Sequence, residues 1–490
     1  MLGYFFFRLG ILREKGNALA LENIKRRSAV RLPARAGFWS VVSGLVARGI
    51  GVVGTPIFTR LLTPTEYGLY PLYTTWLSVV SAIIISGLTG SAVYRGLQRF
   101  SGRKEEFVAA GTGLALSGVF ILLILGYILS GELSSITGLS SGLLFALTGE
   151  AALSVIISFR SALLRYEYKY KSLALINISS AILTPVLSVL FVFLTPYHAE
   201  ARVFGSILTA LIIALPMLVV TLKRGGRLYS GEIWKYLIRV NIPLIPHYLS
   251  SSLILRASEM VIGRVHGQAS LAKYSVAISV GMALTFVTNA LTQSLSPWIL
   301  RKISEGKHGV IKELITLAFG GLLAVTLFVL SVAPEILSVI TPPEYSDALP
   351  CVYPLALSVS LLFLSNAIMS AEVYYEKSAR SSVPTVITAI ASILAALLIL
   401  PRIDYRFSAL FTLGAYIILV SLSALVFKNI SGESIISTKK CTLLFAFSAA
   451  YALILFLTRE ALFARIALVL PLIPFLFIVS RRLWREIKER

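Results

Sequence analysis

Aspartate is almost absent from this 490-residue sequence, which contains only Asp347 and Asp404. These two residues do not form a DxD-type metal motif for sugar-nucleotide transfer. Cysteine is equally scarce, because Cys351 and Cys441 lie far apart in apolar segments and no CxxC pair occurs. The sequence therefore excludes a disulfide framework and offers no zinc-binding motif.

Charged residues make up only 14% of the chain, whereas soluble proteins contain about 25%. Hydrophobic residues make up 57%, and the mean hydropathy is +0.84. This composition predicts a polytopic membrane protein. The net charge of +22 lies mostly in short loops between apolar segments. It therefore indicates membrane topology rather than nucleic-acid binding.

About fourteen segments are long and apolar enough to cross a bilayer as helices, so we expect an all-α polytopic fold. The final two segments are separated only by a short link. The predicted spans lie near residues 36–62, 69–94, 107–130, 139–160, 172–195, 201–222, 238–263, 272–298, 314–340, 349–373, 381–401, 407–427, 440–458 and 461–480.

Most of the 45 lysines and arginines lie in alternate segments, beginning with the N-terminal tail. The positive-inside rule then predicts a multi-pass protein of the cytoplasmic membrane with both termini in the cytoplasm. Residues 1–35 form a basic cytoplasmic tail in this interpretation, able to lie on the membrane surface. No exported loop is long enough to form a soluble domain.

An internal repeat relates the two halves of the chain. RLLTPTEYGLY, from Arg60, and RVHGQASLAKY, from Arg264, each link a polar-striped helix to the next span, and the offset of 204 residues keeps the hydropathy in register over six helices. Because six is even, the halves have a parallel, pseudo-twofold relation. The predicted units are a six-helix bundle at 36–222, a cytoplasmic linker at 223–237, a second bundle at 238–427, and two further helices with a basic cytoplasmic tail at 428–490.

Arg48 lies near the middle of the first span, where a charge costs about 2.5–3.5 kcal/mol on insertion scales. An intramembrane cation favours a binding site or pathway, although small residues on the same helix face also suit a packing seam. We predict that Arg48 and Thr55 bind substrate. The polar face comprises Ser40, Gly44, Arg48, Gly51, Thr55 and Thr59.

Arg256 and Glu259 share one face of the seventh span and are close enough to form an ion pair. The pair either takes part in substrate or ion binding, or its two charges only neutralise each other so that the helix can insert into the membrane. Pro243 and Pro246 predict an irregular backbone at the cytoplasmic end of this helix. His247, beside them, is either a packed core residue or a proton carrier.

Glu150 lies near the middle of the fourth span. We predict that it is either the partner of Arg48 or a proton or sodium site. Asn289, in the eighth span, shares a helix face with three hydroxyl residues. Such a face suits a sugar-bearing ligand, but it also suits ordinary hydrogen bonds between helices.

The block FTRLLTPTEYGLYPLYTTW, after the first helix, resembles the opening signature of polysaccharide flippases. NIPLIPHYLSSSLILRASEMVIGRVHGQASLAKYSVA, in the seventh and eighth spans, resembles its counterpart in the second half. These proteins belong to the multidrug/oligosaccharidyl-lipid/polysaccharide exporter superfamily. The resemblance runs from about residue 36 to residue 427.

The resemblance implies a flippase that carries a lipid-linked oligosaccharide on a polyprenyl pyrophosphate across the membrane by alternating access. It also implies a central cationic cavity, and Arg48 and Arg256 fit that role by position. No cofactor is expected apart from coupling to Na⁺ or H⁺, for which Glu150, Glu259 and His247 are the candidates. The expected partners are the lipid-linked oligosaccharide, membrane lipids and glycan biosynthesis enzymes, with no nucleic acid.

Two other functions fit the sequence less well. A multidrug/cation antiporter of the same superfamily needs a carboxylate that exchanges a proton for a cation, often on the first helix, where this chain has Arg48. A membrane-embedded glycan polymerase generally has a large exported loop or paired carboxylates. Here Glu150 and Glu259 lie in opposite halves, so we do not expect an enzyme.

Overall fold

The computed structural model describes residues 44, 46, 49–50, 53–86, 91–375 and 382–488. Within these residues the ordered elements are helices, and no β-strand occurs. The first predicted span is described only in part, chiefly as a helix over residues 53–61. Arg48 and the tail 1–35 lie outside the described residues.

After the helix over residues 53–61, the described part of the N-terminal half and the linker contains eight further helices. The first of them begins with a capping box, in which Thr63 and Glu66 each accept a hydrogen bond from the other's backbone N–H. It continues into a π-helical turn at Ala82–Ser86. The helices are α1 (Pro64–Ser81), α2 (Ser91–Arg99), α3 (Lys104–Ile128), α4 (Ser130–Thr137), α5 (Ser141–Tyr166), α6 (Tyr170–Leu194), α7 (Ala201–Gly225) and α8 (Gly231–Asn241).

The C-terminal half and the appended segment contain eleven more described helices. A 3₁₀ turn at Ile242–Leu244 precedes the first of these helices. It lies where Pro243 and Pro246 predict an irregular backbone. The helices are α9 (Ile245–Val265), α10 (Gly267–Gly281), α11 (Thr285–Ser304), α12 (His308–Ser331), α13 (Ala333–Ile340), α14 (Leu349–Glu372), α15 (Val383–Ile399), α16 (Ser408–Ser431), α17 (Thr438–Leu457), α18 (Leu462–Val469) and α19 (Leu472–Lys488).

Ten segments of the described chain are long and apolar enough to cross a membrane, and the bent pair α10–α11 adds an eleventh. Of the other three predicted spans, the first lies mostly outside the described residues and the second is divided between α1 and α2. The third is α9, whose polar face makes it less apolar than its neighbours. The structure confirms a polytopic all-α membrane protein, whereas the count of fourteen stays a prediction.

The packing of the helices repeats between the two halves. In the N-terminal half, α3 packs against α5, α5 against α7, and α6 against α7. In the C-terminal half, α12 packs against α14, α14 against α16, and α15 against α16. Each pair in the second set lies six predicted spans after its counterpart. This is the relation that a parallel repeat requires.

The predicted linker at 223–237 contains most of helix α8, which packs on the N-terminal half. Ile233 and Leu237 are fully buried. The indole N–H of Trp234 donates to the carbonyl oxygen of Ala110 at 2.9 Å. The connection between the halves is therefore an amphipathic helix that ends at Asn241 rather than an extended loop.

We call the end of the bundle at which α1 and α10 begin the outer end, and the opposite end, at which α3 and α12 begin, the inner end. The halves meet closely at the outer end. Gly68 faces the backbone of Gln268, and a Cβ atom on Gly68 would lie only 1.9 Å from the Gln268 carbonyl oxygen. The rings of Tyr67 and Tyr345 meet edge to face, with centroids 6.0 Å apart. The structure is thus closed at its outer end.

The appended helices pack on α12. Arg465 in α18 is 1% exposed, pairs with Glu335 and donates to the carbonyl oxygen of Ser331. Gly321 in α12 allows close packing of α19, because a Cβ atom there would lie 2.8 Å from a methyl carbon of Val479. These contacts join the last two predicted spans to the C-terminal half.

Candidate functional site

Arg256 and Glu259 form an ion pair on the face of α9. Nη1 of Arg256 donates to both carboxylate oxygens of Glu259, at 2.8 and 2.7 Å. Glu259 is only 2% exposed, whereas the side chain of Arg256 is 33% exposed. The carboxylate is therefore inside the protein and the guanidinium reaches toward its surface.

Thr75 in α1 links this pair to the N-terminal half. Its hydroxyl donates to Oε2 of Glu259, and Thr75 itself is fully buried. Because a carboxylate has about four acceptor positions, these three hydrogen bonds occupy most of them. Glu259 therefore orients Arg256 and at the same time joins α9 to α1 across the interface of the halves.

Arg256 retains hydrogen-bonding capacity after pairing with Glu259. A guanidinium has five N–H donors, and the two on Nη1 point to the carboxylate side. Within the described part of the chain, no residue bonds to Nη2 or Nε. This remaining edge presents parallel donors of the kind that bind phosphate or carboxylate in a bidentate manner.

Glu150 in α5 has a different environment. Its Oε2 accepts hydrogen bonds from the hydroxyls of Tyr73, at 2.8 Å, and Ser206, at 3.2 Å. It is 8% exposed, and no Lys, Arg or His among the residues described forms an ion pair with it. A buried carboxyl held only by hydroxyl groups is suited to taking up and releasing a proton, or to binding a monovalent cation.

Arg202, at the start of α7, is a cationic residue that the sequence did not single out. Its guanidinium carbon lies 4.5, 4.8 and 4.1 Å from the ring centroids of Phe58, Tyr67 and Tyr70. Three aromatic faces therefore stabilise its charge. Its Nη1 is buried and has no hydrogen-bond partner in the described chain.

Arg202 and Tyr70 line a cavity of about 580 Å³ between the first helix and α6. Gly44 and Gly54 line it from the first helix, and polar residues of α6 line it from the other side. These polar residues are Asn177, Ser180, Thr184 and Ser188. The N-terminal half thus contains a partly polar cavity beside the helix predicted to bind substrate.

The other predicted site residues are not part of the Arg256–Glu259 pair. Thr55 is buried, and its carbonyl oxygen accepts a hydrogen bond from the Thr59 hydroxyl at 2.9 Å. Asn289 is half-buried. His247 is half-buried, and its Nδ1 has no hydrogen-bond partner among the residues described. Whether Glu150 pairs with Arg48 stays a prediction, since Arg48 lies outside them.

Sequence reasoning missed Tyr73, Thr75 and Arg202, although the first two support the buried carboxylates. Tyr67, Tyr70 and Tyr73 recur at steps of three, and this spacing was the available signal for a polar aromatic face on α1. No group of three or more His, Cys, Asp or Glu residues with the proximity to hold a metal ion occurs in the described ranges.

A family model described as "Polysaccharide biosynthesis protein" matches residues 34–302, more than half of the chain. No curated protein sequence matches the chain.

Solved structures of membrane transporters share the fold. A lipid II flippase MurJ in an inward closed conformation is 12% identical, with a TM-score of 0.69, and the match covers 92% of this chain and 99% of that one. Two structures of multidrug resistance MATE family transporters of the MOP superfamily also match. An inward-facing one is 17% identical (TM-score 0.58, covering 79% of this chain and 96% of that one). An outward-facing one is 14% identical (TM-score 0.55, covering 86% and 96%).

Proposed function

The chain belongs to the polysaccharide biosynthesis protein family, and on that premise we propose that it is a lipid-linked oligosaccharide flippase. The substrate in this proposal is an oligosaccharide on a polyprenyl pyrophosphate, carried across the cytoplasmic membrane for surface polysaccharide synthesis. The fold shared with a lipid II flippase supports a role in moving a large amphipathic molecule. Membrane lipids and glycan biosynthesis enzymes are the proposed partners.

The observation that carries the proposal is the partly exposed guanidinium of Arg256 at the interface of the halves. Glu259 and Thr75 fix its position from the buried side, which leaves Nη2 and Nε for an anion. A pyrophosphate is a doubly charged group with oxygens at the spacing that an arginine edge prefers. Arg48, predicted on the facing side of the interface, would supply the second cation.

Alternating access would follow from the way the halves are joined. The outer end is closed by Gly68 against Gln268, and Thr75 is bonded to Glu259 farther inside. In the proposed cycle the headgroup enters from the inner, cytoplasmic end and binds Arg256. The halves then part at the outer end, which requires the Thr75–Glu259 hydrogen bond to break.

Glu150 is the strongest candidate for coupling to Na⁺ or H⁺ in this proposal, because it is buried and lacks an ion-pair partner in the described structure. Glu259 is already neutralised by Arg256, and His247 contacts neither carboxylate. Protonation or sodium binding at Glu150 would change the hydrogen bonds that join α1, α5 and α7. Coupling would therefore act within the N-terminal half.

The test is reconstitution of the purified full chain in liposomes with a fluorescent lipid-linked oligosaccharide on a polyprenyl pyrophosphate. Transport is measured as protection of the sugar from an impermeant reagent added outside. We expect transport of the pyrophosphate-linked sugar and little transport of the same sugar on a neutral lipid. Equal transport of both lipids, or of neither above empty liposomes, would refute the proposal.

A second candidate is a multidrug/cation antiporter, and the environment of Glu150 is the observation that favours it. A buried carboxyl without an ion-pair partner in the described chain can exchange a proton for an organic cation, and the same half contains a cavity of about 580 Å³, which Glu150 itself does not line. The similar MATE fold is consistent with this function. Against it, Arg202 lines the same cavity and would repel a cation.

One measurement distinguishes the flippase from the antiporter. Liposomes with an imposed pH gradient and a fluorescent organic cation would show gradient-driven accumulation if the chain is an antiporter. The flippase proposal predicts no accumulation above that of empty liposomes.

A further inference from the structure

A cavity with cationic residues lies at the inner end, apart from the interface of the halves. It has a volume of about 290 Å³, is partly open, and lies between α12, α17 and α19. Lys440 and Arg482 lie at its polar side, together with Glu313. Its remaining wall is largely apolar and includes Leu314, Leu317 and Leu444.

Among the residues that the structure describes, the two cations in this cavity have no carboxylate partner. Lys440 and Arg482 form no ion pair with any described residue, whereas Lys312 nearby pairs with Glu433 at 3.7 Å. The lining has two positive charges and one negative charge, from Glu313, so it carries an excess of one positive charge. This charge matches a single phosphodiester.

The cavity is built between helices that pack closely. Gly321 in α12 lies against Val479 in α19, and Thr316 in α12 contacts the sulfur of Cys441 in α17 at 3.8 Å. These contacts place residues from three helices around one space, so the cations do not depend on a mobile loop. An apolar wall below charged residues at the end of membrane helices is the pattern that suits a lipid.

We propose that this cavity binds the phosphodiester headgroup of a membrane lipid, with Lys440 and Arg482 on the phosphate and the start of an acyl chain along the leucine wall. The proposal does not depend on the transported substrate. The bound lipid would join α17 and α19 to α12 at the inner end, as Arg465 and Glu335 join α18 to α13 at the outer end.

The test compares a double variant, Lys440→Gln with Arg482→Gln, with the matched control Lys439→Gln with Arg481→Gln. The control changes the two neighbouring exposed residues, which do not line the cavity, and removes the same charge. Each purified full-length protein is titrated with phosphatidylglycerol in detergent, and the bound lipid is counted by native mass spectrometry. Diacylglycerol provides the tail without phosphate, and glycerol 3-phosphate provides the phosphate without a tail.

We expect the cavity variant to bind phosphatidylglycerol about 30-fold more weakly than wild type, while the control binds normally. Diacylglycerol and glycerol 3-phosphate should each bind wild type more weakly than the intact lipid. The conservative variant Lys440→Arg with Arg482→Lys should bind normally, which separates loss of charge from loss of folding. Equal weakening in the control variant, or undiminished binding in the cavity variant, would overturn the proposal. Equally tight binding of glycerol 3-phosphate would overturn the assignment to a lipid.

Discussion

The two halves repeat one packing pattern but differ where the first helix of each half meets the fifth. In the C-terminal half, α9 packs directly on α15, and Ala257, Val261, Ala396 and Leu400 fill the contact. In the N-terminal half the corresponding space, between the first helix and α6, contains a cavity of about 580 Å³. One half is therefore solid at this position and the other has room for a ligand or for movement.

The two halves also differ in the surroundings of their buried glutamates. Glu259 is paired with Arg256, whereas Glu150 is held by two hydroxyl groups without a described cation. An ion-paired carboxylate keeps a fixed charge and positions its partner. A carboxyl without a cation can change its protonation or bind a cation. We infer that the C-terminal half provides the fixed anion site and the N-terminal half provides the variable, energy-coupling site.

The largest expected effect comes from Arg256→Ala, which leaves Glu259 buried without a cation. Removing one member of a buried ion pair costs about 3–5 kcal/mol of stability. Because Arg256 is partly exposed, we expect the free energy of unfolding to fall by about 2 kcal/mol. Transport should fall to background. Thermal unfolding and the liposome assay measure the two effects.

The matched control for this prediction is Arg264→Ala, an exposed arginine on the same helix. It should leave both unfolding and transport near wild type. The double variant Arg256→Met with Glu259→Met should recover most of the stability but none of the transport. Recovery of transport by that double variant would mean that the pair serves only membrane insertion.

A pair of leucine substitutions tests whether one half is solid and the other open. Under the 204-residue offset, Gly54 corresponds to Ser258. Ser258 is 4% exposed, so Ser258→Leu should overpack the C-terminal half and cost about 1–3 kcal/mol. A Cβ atom on Gly54 meets no atom within 4 Å, so Gly54→Leu should fill the cavity with little loss of stability. The melting temperatures of both variants measure this difference in packing. Equal melting temperatures would contradict the claim that one half is solid and the other open.

The smallest effect on stability is expected for Glu150→Gln. The amide oxygen can still accept from Tyr73 and Ser206, so stability should change by less than about 1 kcal/mol. Because glutamine cannot titrate, transport should lose its dependence on an imposed pH or sodium gradient. Transport is compared with and without the gradient, with exposed Glu132→Gln as the control. Undiminished gradient dependence would exclude Glu150 as the coupling group.

The helical architecture could be predicted because apolar runs separated by basic loops are local patterns in the sequence of each half. The proximity of Arg256 to Glu259 was also predictable, since the two residues are one helical turn apart. The sequence indicated that Glu150 lies in the membrane, but it did not indicate that Tyr73 and Ser206 bind it. Those contacts join three helices, and no spacing along the chain encodes them.

Arg202 illustrates the same limit. In the sequence it is a cation at the end of a span, where topology alone explains it. Its aromatic surroundings come from Phe58, Tyr67 and Tyr70, more than 130 positions earlier. The cavity beside it results from a difference in packing between two helix pairs. Such a difference depends on tertiary packing, which the residue pattern does not specify.

The most direct measurement of the central claim is the affinity of the purified protein for a short-chain, water-soluble prenyl pyrophosphate. Wild type and the stability-matched double variant Arg256→Met with Glu259→Met are titrated by calorimetry. If Arg256 holds the pyrophosphate, the variant should bind at least about tenfold more weakly, as expected for the loss of a charge-assisted bidentate contact. Equal affinity of the two proteins would contradict the account.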